Sequence, residues 1–114
     1  MAEAEGAPRL TWELDSLEPQ AAESVREALR QVVDPEIGLS VIELGLIRDV
    51  RKNEGELLVH MILTTPFCPY GPALLEMTRA KVEQAAGLPA RIELGMEMWD
   101  PSFMEEGAGA AWGF

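Results

Sequence analysis

The chain has 114 residues, 47% hydrophobic and 25% charged, which is enough for one modest core and too balanced for wholesale disorder. Its formal net charge of −11, with nine scattered Lys and Arg residues, argues against binding to a nucleic-acid backbone. We see no secretory signal and no apolar run near the roughly 20 residues that span a bilayer, so we expect a cytoplasmic protein without a membrane partner.

We expect one domain, over residues 17–103. Residues 1–16 are expected to form a flexible N-terminal segment, because the first residues are mostly small or acidic and show no apolar periodicity. Residues 104–114 are expected to form a flexible tail rich in Gly and Ala.

A first helix is predicted over about residues 18–33. Asp15 or Ser16 can cap it, and Pro19 is tolerated in its opening turn. Pro35 should end it, because a proline pushes the residue before it out of helical geometry. The inward stripe is Val25, Leu29, Val32 and Val33, and the outward residues are Arg26, Glu27, Arg30 and Gln31.

Three strands are predicted from alternating or continuous apolar patterns. Residues 41–51 read as a strand, and residues 52–55 read as a hairpin turn because Asn and Gly tolerate positive φ. Residues 56–63 are apolar on both faces apart from His60, which indicates an interior strand covered on each side. Residues 91–98 alternate cleanly and predict a half-buried strand. The core-facing residues are Leu44, Leu46 and Val50 in the first strand, and Ile92, Leu94, Met96 and Met98 in the third.

A second helix is predicted between the last two strands. Pro72 fits its first position and Gly87 its C-terminal cap. The order α-β-β-α-β predicts a small α/β (α+β) domain, with helices packed on a three-stranded mixed sheet. The inward stripe of this helix is Leu75, Thr78, Val82 and Ala85 or Ala86.

The stretch Thr-Thr-Pro-Phe-Cys-Pro, between a strand and a helix, holds the only cysteine, Cys68. The positive end of a helix lowers the pKa of a nearby thiol and favours the thiolate, which attacks or binds metal. Pro66 and Pro69 restrict the backbone on either side, and Thr64 and Thr65 supply hydroxyls for a thiolate or an anion. The alternative, that Cys68 is a small buried hydrophobe, stays open on these residues.

Other candidate groups are few. Asp34 and Glu36 lie in the loop after the first helix, where a solvated loop is favoured over a ligand or acid/base role beside the thiol. His60 lies in mid-strand, where a hydrogen-bonded packing role is favoured over ligation. One Cys and one His fall short of the usual four ligands of a closed zinc site, so metal at Cys68 would be transient or shared. Without a Walker, GxGxxG, HExxH or GxSxG motif, no catalytic residue is predicted, and a turnover enzyme is not expected.

Four segments in order carry a family resemblance between about residues 25 and 101. They are Val-Asp-Pro-Glu-Ile-Gly at 33–38, Val-Ile-Glu-Leu-Gly-Leu-Ile at 41–47, Met-Ile-Leu-Thr-Thr-Pro-Phe-Cys-Pro at 61–69 and, more weakly, Trp-Asp-Pro at 99–101. In these segments the chain resembles the SufT-like and PaaD-like proteins of metal-sulfur cluster assembly.

The resemblance implies an α/β fold and a role in maturing or delivering iron-sulfur clusters, with transient binding of iron or a cluster. Implied partners are iron-sulfur assembly proteins and client apoproteins, and a homodimer would offer two thiolates to one cluster. The implied functional cysteine is Cys68, with Thr64, Thr65, Pro66 and Pro69 in its loop and Asp34 and Glu36 in the acidic loop.

Two departures and two alternatives accompany the resemblance. Phe67 stands where many relatives have glycine, and the usual proline-aromatic stretch after Pro101 is replaced. PaaD-like members suggest an accessory subunit of a phenylacetyl-CoA-type multicomponent oxygenase. A thiol-reactive redox protein would instead require a depressed pKa of Cys68 and fast alkylation near neutral pH.

Overall fold

A computed structural model describes residues 11–65 and 69–105. The predicted α-β-β-α-β order is confirmed, with one short helix added in front. The elements are α1 (Glu13–Leu17), α2 (Pro19–Leu29), β1 (Ile47–Asn53), β2 (Glu56–Met61), α3 (Gly71–Ala86), β3 (Ala90–Leu94) and a 3-10 helix (Pro101–Phe103).

The sheet is mixed and has β2 in its centre. β1 pairs with β2 antiparallel, and β2 pairs with β3 parallel. The predicted hairpin turn is confirmed: Glu54 and Gly55 have φ of 52° and 84°, a left-handed pair that matches the twist of the two strands. The central place of β2 agrees with the prediction, but only one of its faces is fully covered, since Leu58 and His60 are half-buried.

Residues 41–45 form a turn, and the prediction of a strand from residue 41 is wrong. The Ser40 amide donates to the Glu43 carboxylate at 2.9 Å, and the Glu43 amide donates to the Ser40 hydroxyl at 3.1 Å. Such a Ser-x-x-Glu pair satisfies two amides at the start of a helical turn. The turn ends at Gly45, whose φ is 73°, so β1 begins only at Ile47.

The first long helix, α2, is shorter than predicted. It ends at Leu29 rather than near residue 33, and Asp15 lies within α1 instead of capping it. Val33 forms an antiparallel bridge to Ser40 and is exposed, so it does not belong to the inward stripe.

Arg26 is buried at 3% exposure, which overturns its predicted outward position. Its guanidinium donates to both carboxylate oxygens of Asp15 at 2.7 Å and lies 4.0 Å from the centre of the Trp12 ring. The Trp12 indole donates to the Ile47 carbonyl at 3.2 Å. This cluster joins α1, α2 and the start of β1, and Trp12 and Leu14 lie in the core.

The third helix agrees with its prediction in its C-terminal cap and in part of its stripe. α3 spans Gly71–Ala86, so Pro72 is its second residue rather than its first, and Gly87 caps it in the left-handed conformation with φ of 71°. Thr78 and Val82 are buried as predicted, whereas Leu75, Ala85 and Ala86 are only half-buried.

The third strand is shorter than predicted. β2 ends at Met61 opposite Leu94, so among the described residues no strand pairs with the alternating residues beyond Leu94. Leu94, Met96 and Met98 are 55%, 94% and 86% exposed, and their predicted core role is wrong.

Gly45 packs so closely on the 3-10 helix that a Cβ there would overlap the Phe103 carbonyl. Gly38 also has a left-handed φ, of 83°, but lies in open space. Gly38→Ala should lower the free energy of unfolding by about 1 kcal/mol, through conformation alone. Gly45→Ala should lower it by about 2 kcal/mol more, because the 3-10 helix must move. Chemical denaturation measures both, and equal losses would contradict the close approach.

The Thr78 hydroxyl on α3 is fully buried and has no hydrogen-bond partner among the described residues. Thr78→Val keeps the side-chain shape and removes this polar group, so the free energy of unfolding should stay constant or rise by about 1 kcal/mol. Thr78→Ala, the control, also removes a methyl group and should lower it by about 1 kcal/mol. Equal losses in the two variants, measured by chemical denaturation, would contradict this assignment.

Candidate functional site

The centre of the predicted cysteine loop lies outside the described residues. These are Pro66, Phe67 and Cys68. The chain is described on both sides: Thr65 is half-buried, Pro69 is exposed, and α3 begins at Gly71.

The carboxyl ends of β2 and β3 lie at the same edge of the sheet because the two strands are parallel. Ligand sites of α/β proteins form at such edges. The crossover helix α3 also begins after the β2 end, and its first turn holds no acidic side chain. The N-cap residue Tyr70 makes no capping hydrogen bond with its side chain, so among the described residues the positive end of α3 has neither a side-chain cap nor a carboxylate in its first turn.

A groove of about 350 Å³ opens at this edge. Leu63 and Thr64, which follow β2, form one side, and residues 94–99, at and after the end of β3, form the other. Its lining is mostly apolar and sulfur-bearing, with Met96 and Met98 exposed in it. Sequence reasoning missed the groove because the alternation that predicted a longer strand assigned both methionines to the core.

Two side-chain hydrogen bonds, one to His60 and one to the Leu44 carbonyl, hold the segment after β3. His60 Nε2 lies 2.8 Å from a carboxylate oxygen of Glu97, the hydrogen-bonded role predicted for this histidine. The pKa of Glu97 is lowered, first by its own backbone N–H and then by His60. The Trp99 indole donates to the Leu44 carbonyl at 2.7 Å. A Cβ at Gly95 would overlap the Glu97 carboxylate and approach His60 Nε2 to 2.7 Å, so a side chain at this position would displace the two groups from their present contact.

The acidic loop is built around Asp34, which is 2% exposed and therefore not solvated as predicted. Its carboxylate accepts the Glu36 amide at 2.9 Å, and its carbonyl accepts the Gly38 amide at 2.7 Å. Glu36 is exposed. The hydrogen bonds described for Asp34 stay within this loop, and none of them joins it to Thr64 or Pro69.

In residues 11–65 and 69–105, no three His, Cys, Asp or Glu side chains are grouped so that they could hold a metal ion. Within the same ranges, no helix has the length and apolarity needed to cross a membrane.

Comparisons with known proteins agree on one family. The family model described as "Iron-sulfur cluster assembly protein" matches residues 22–93. The chain is 39% identical over 98 residues to an Fe-S protein maturation auxiliary factor of Porphyromonas gingivalis, covering 83% of this chain and 93% of that protein. It is 32% identical over 92 residues to the Fe-S protein maturation auxiliary factor YitW of Bacillus subtilis, covering 79% and 87%.

A solved structure supports the fold. A domain of unknown function from Bacillus anthracis superposes with a TM-score of 0.76, at 20% identity, over 87% of this chain and 97% of that one. With the family model spanning well over half of its length, the chain belongs to the family of iron-sulfur cluster assembly proteins.

Proposed function

We propose that this protein matures iron-sulfur proteins by holding iron or a cluster transiently at Cys68, or by docking a client's thiol there, before transfer. Family membership supports the assembly role, since its relatives are named Fe-S protein maturation auxiliary factors. The observation that carries the residue assignment is positional. In the sequence, Cys68 precedes the first residue of α3 by three positions and follows Thr64, which lines the groove, by four.

The ligand chemistry favours a transient role. Soft thiolates are the usual protein ligands of iron-sulfur clusters, and four commonly hold one cluster. This chain offers a single cysteine, and the described residues provide no ready set of His, Asp or Glu ligands beside it. The remaining ligands must therefore come from a client or an assembly partner, and a site with one protein sulfur releases its cargo readily.

The groove gives such a client a surface. Its mixed wall of Met96, Met98 and Trp99 is adaptable, because methionine is flexible and polarizable and accommodates varied apolar side chains. A client segment lying in the groove would bring its own cysteines toward the chain between Thr65 and Pro69.

Cys68→Ser should abolish iron and sulfide retention after anaerobic reconstitution, because a serine hydroxyl is a poor ligand for a cluster. Visible absorption and iron and sulfide analysis measure the loss, and cluster content of client enzymes in cells should fall with it. Met77→Leu is the matched control, since it removes an exposed sulfur from α3 outside the groove. Equal iron and sulfide in wild type and Cys68→Ser would rule out metal holding, and unchanged client clusters in cells would rule out the docking role too.

Asp34 acts in this proposal through the shape of its loop. Asp34→Asn keeps an oxygen that accepts the Glu36 amide, so stability and client maturation should both be retained. Asp34→Ala leaves that amide without its acceptor and should lower the free energy of unfolding by about 1 to 2 kcal/mol. A folded Asp34→Asn protein that no longer matures clients would show instead that the carboxylate charge acts on iron or on a partner.

A further inference from the structure

The outer edge of β3 has the features of a self-pairing surface. Among the described residues, no strand lies beyond β3, whereas the opposite edge strand, β1, packs against α1 and carries a bulge between Ile47 and Asp49. Bulges and covering elements are the usual protection of sheet edges, and an open edge is a template for another strand.

The backbone groups of β3 that point outward can be identified. The Pro89 carbonyl accepts the Leu57 amide at 2.8 Å, and the Gly95 amide donates to the Met61 carbonyl at 2.7 Å. Since backbone groups alternate in direction along a strand, those of Ile92 and Leu94 point away from β2. The outward Ala90 amide donates to the Glu83 carboxylate. Ile92 is therefore the centre of the open part of the edge.

We propose that two copies of this chain pair antiparallel through their β3 edges, with Ile92 opposite Ile92, and form a six-stranded sheet. In this register Ile92 of each copy exchanges two backbone hydrogen bonds with its counterpart. Arg91 of each copy then lies directly opposite Glu93 of the other, which gives two such pairs related by the two-fold axis. This proposal is independent of the proposed function.

Charge selects this register over its neighbours. Sliding one strand by two residues toward either end places Arg91 opposite Arg91 or Glu93 opposite Glu93, and like charges directly opposite destabilise a pair of strands. A slide by one residue turns the apolar face of one strand toward the polar face of the other.

Existing ion pairs extend the charge pattern across the joined sheet. Within one copy, Glu93 pairs with Arg51 at 2.7 Å, and Arg91 pairs with Glu56 at 3.3 Å. The dimer therefore continues an alternating row: Arg51 and Glu93 of one copy, then Arg91 and Glu56 of the other.

The apolar face is complementary in the same register. Leu94, 55% exposed in one copy, lies opposite Ala90 of the other, and the exposed Met96 reaches toward Leu88. Pairing thus covers apolar surface that the single copy leaves open to water.

Sedimentation of the full chain at about 0.15 M salt, which screens the net charge, tests the proposal over a protein concentration series. The wild type should form a dimer as concentration rises. Arg91→Glu and Glu93→Arg should each weaken the dimer by about tenfold or more, since each replaces two attractive pairs with two repulsive ones. Mixing these two variants should restore a tight heterodimer, because every cross-strand pair between them is again opposite in charge.

Lys52→Glu is the matched control. Lys52 lies on β1, the far edge strand, and pairs with Glu18, so reversing its charge should leave the dimer unchanged. Met96→Lys changes a side chain outside the core, so it should fold normally and weaken the dimer even if a β3 variant fails to fold. A wild type that stays monomeric would overturn the proposal. Single variants that dimerise as tightly as the wild type would also overturn it. So would a mixture of the two variants that dimerises no more tightly than either variant alone. Loss of iron retention in Cys68→Ser does not change the dimerisation measured here, so each of the two proposals can fail without the other.

Discussion

The parallel pairing of β2 with β3 is the constraint on which the rest of the site depends. Two parallel neighbours cannot be joined by a hairpin, so the chain must cross over the sheet, and α3 is that crossover. The crossover starts at the carboxyl end of β2 and returns to the amino end of β3. As a result, Leu63 and Thr64 after β2, the first turn of α3 and the segment after β3 all belong to one edge of the domain.

A second constraint fixes the segment after β3, which pairs with no strand in the part of the chain that the structure describes. The turn at residues 40–45 provides its support, because the Leu44 carbonyl accepts the Trp99 indole and Gly45 allows Phe103 to approach its backbone. The His60–Glu97 contact holds the same segment from the sheet. One wall of the groove is thus positioned by contacts with residues distant in sequence, while the other wall continues directly from β2.

The local signals in the sequence predicted the elements well and their partners poorly. Gly87 as a helix cap, the Asn-Glu-Gly hairpin and the central apolar strand each follow from a few adjacent residues, and all three are found in the structure. Periodicity shows which residues lie on the same face of a helix or strand but not what covers that face. The predictions for Arg26 and Met96 are wrong for this reason. Arg26 is buried by Asp15 and Trp12 from a separate helix, and Met96 is exposed because β2 has already ended.

The site itself was only partly accessible from sequence, for a related reason. The cysteine loop stays a prediction from its residues, whereas the groove at the carboxyl ends of β2 and β3 is made by two strand ends that become neighbours only through parallel pairing. The same pairing leaves β3 as an edge, where antiparallel contact with a second copy would place the two β2 carboxyl ends at opposite sides of the joined sheet. The two grooves would then lie at opposite ends of strands of five residues, which span about 17 Å. In the proposed function each chain would then depend on ligands from its own client, which is the condition under which a single thiolate per chain passes cargo on rather than keeping it.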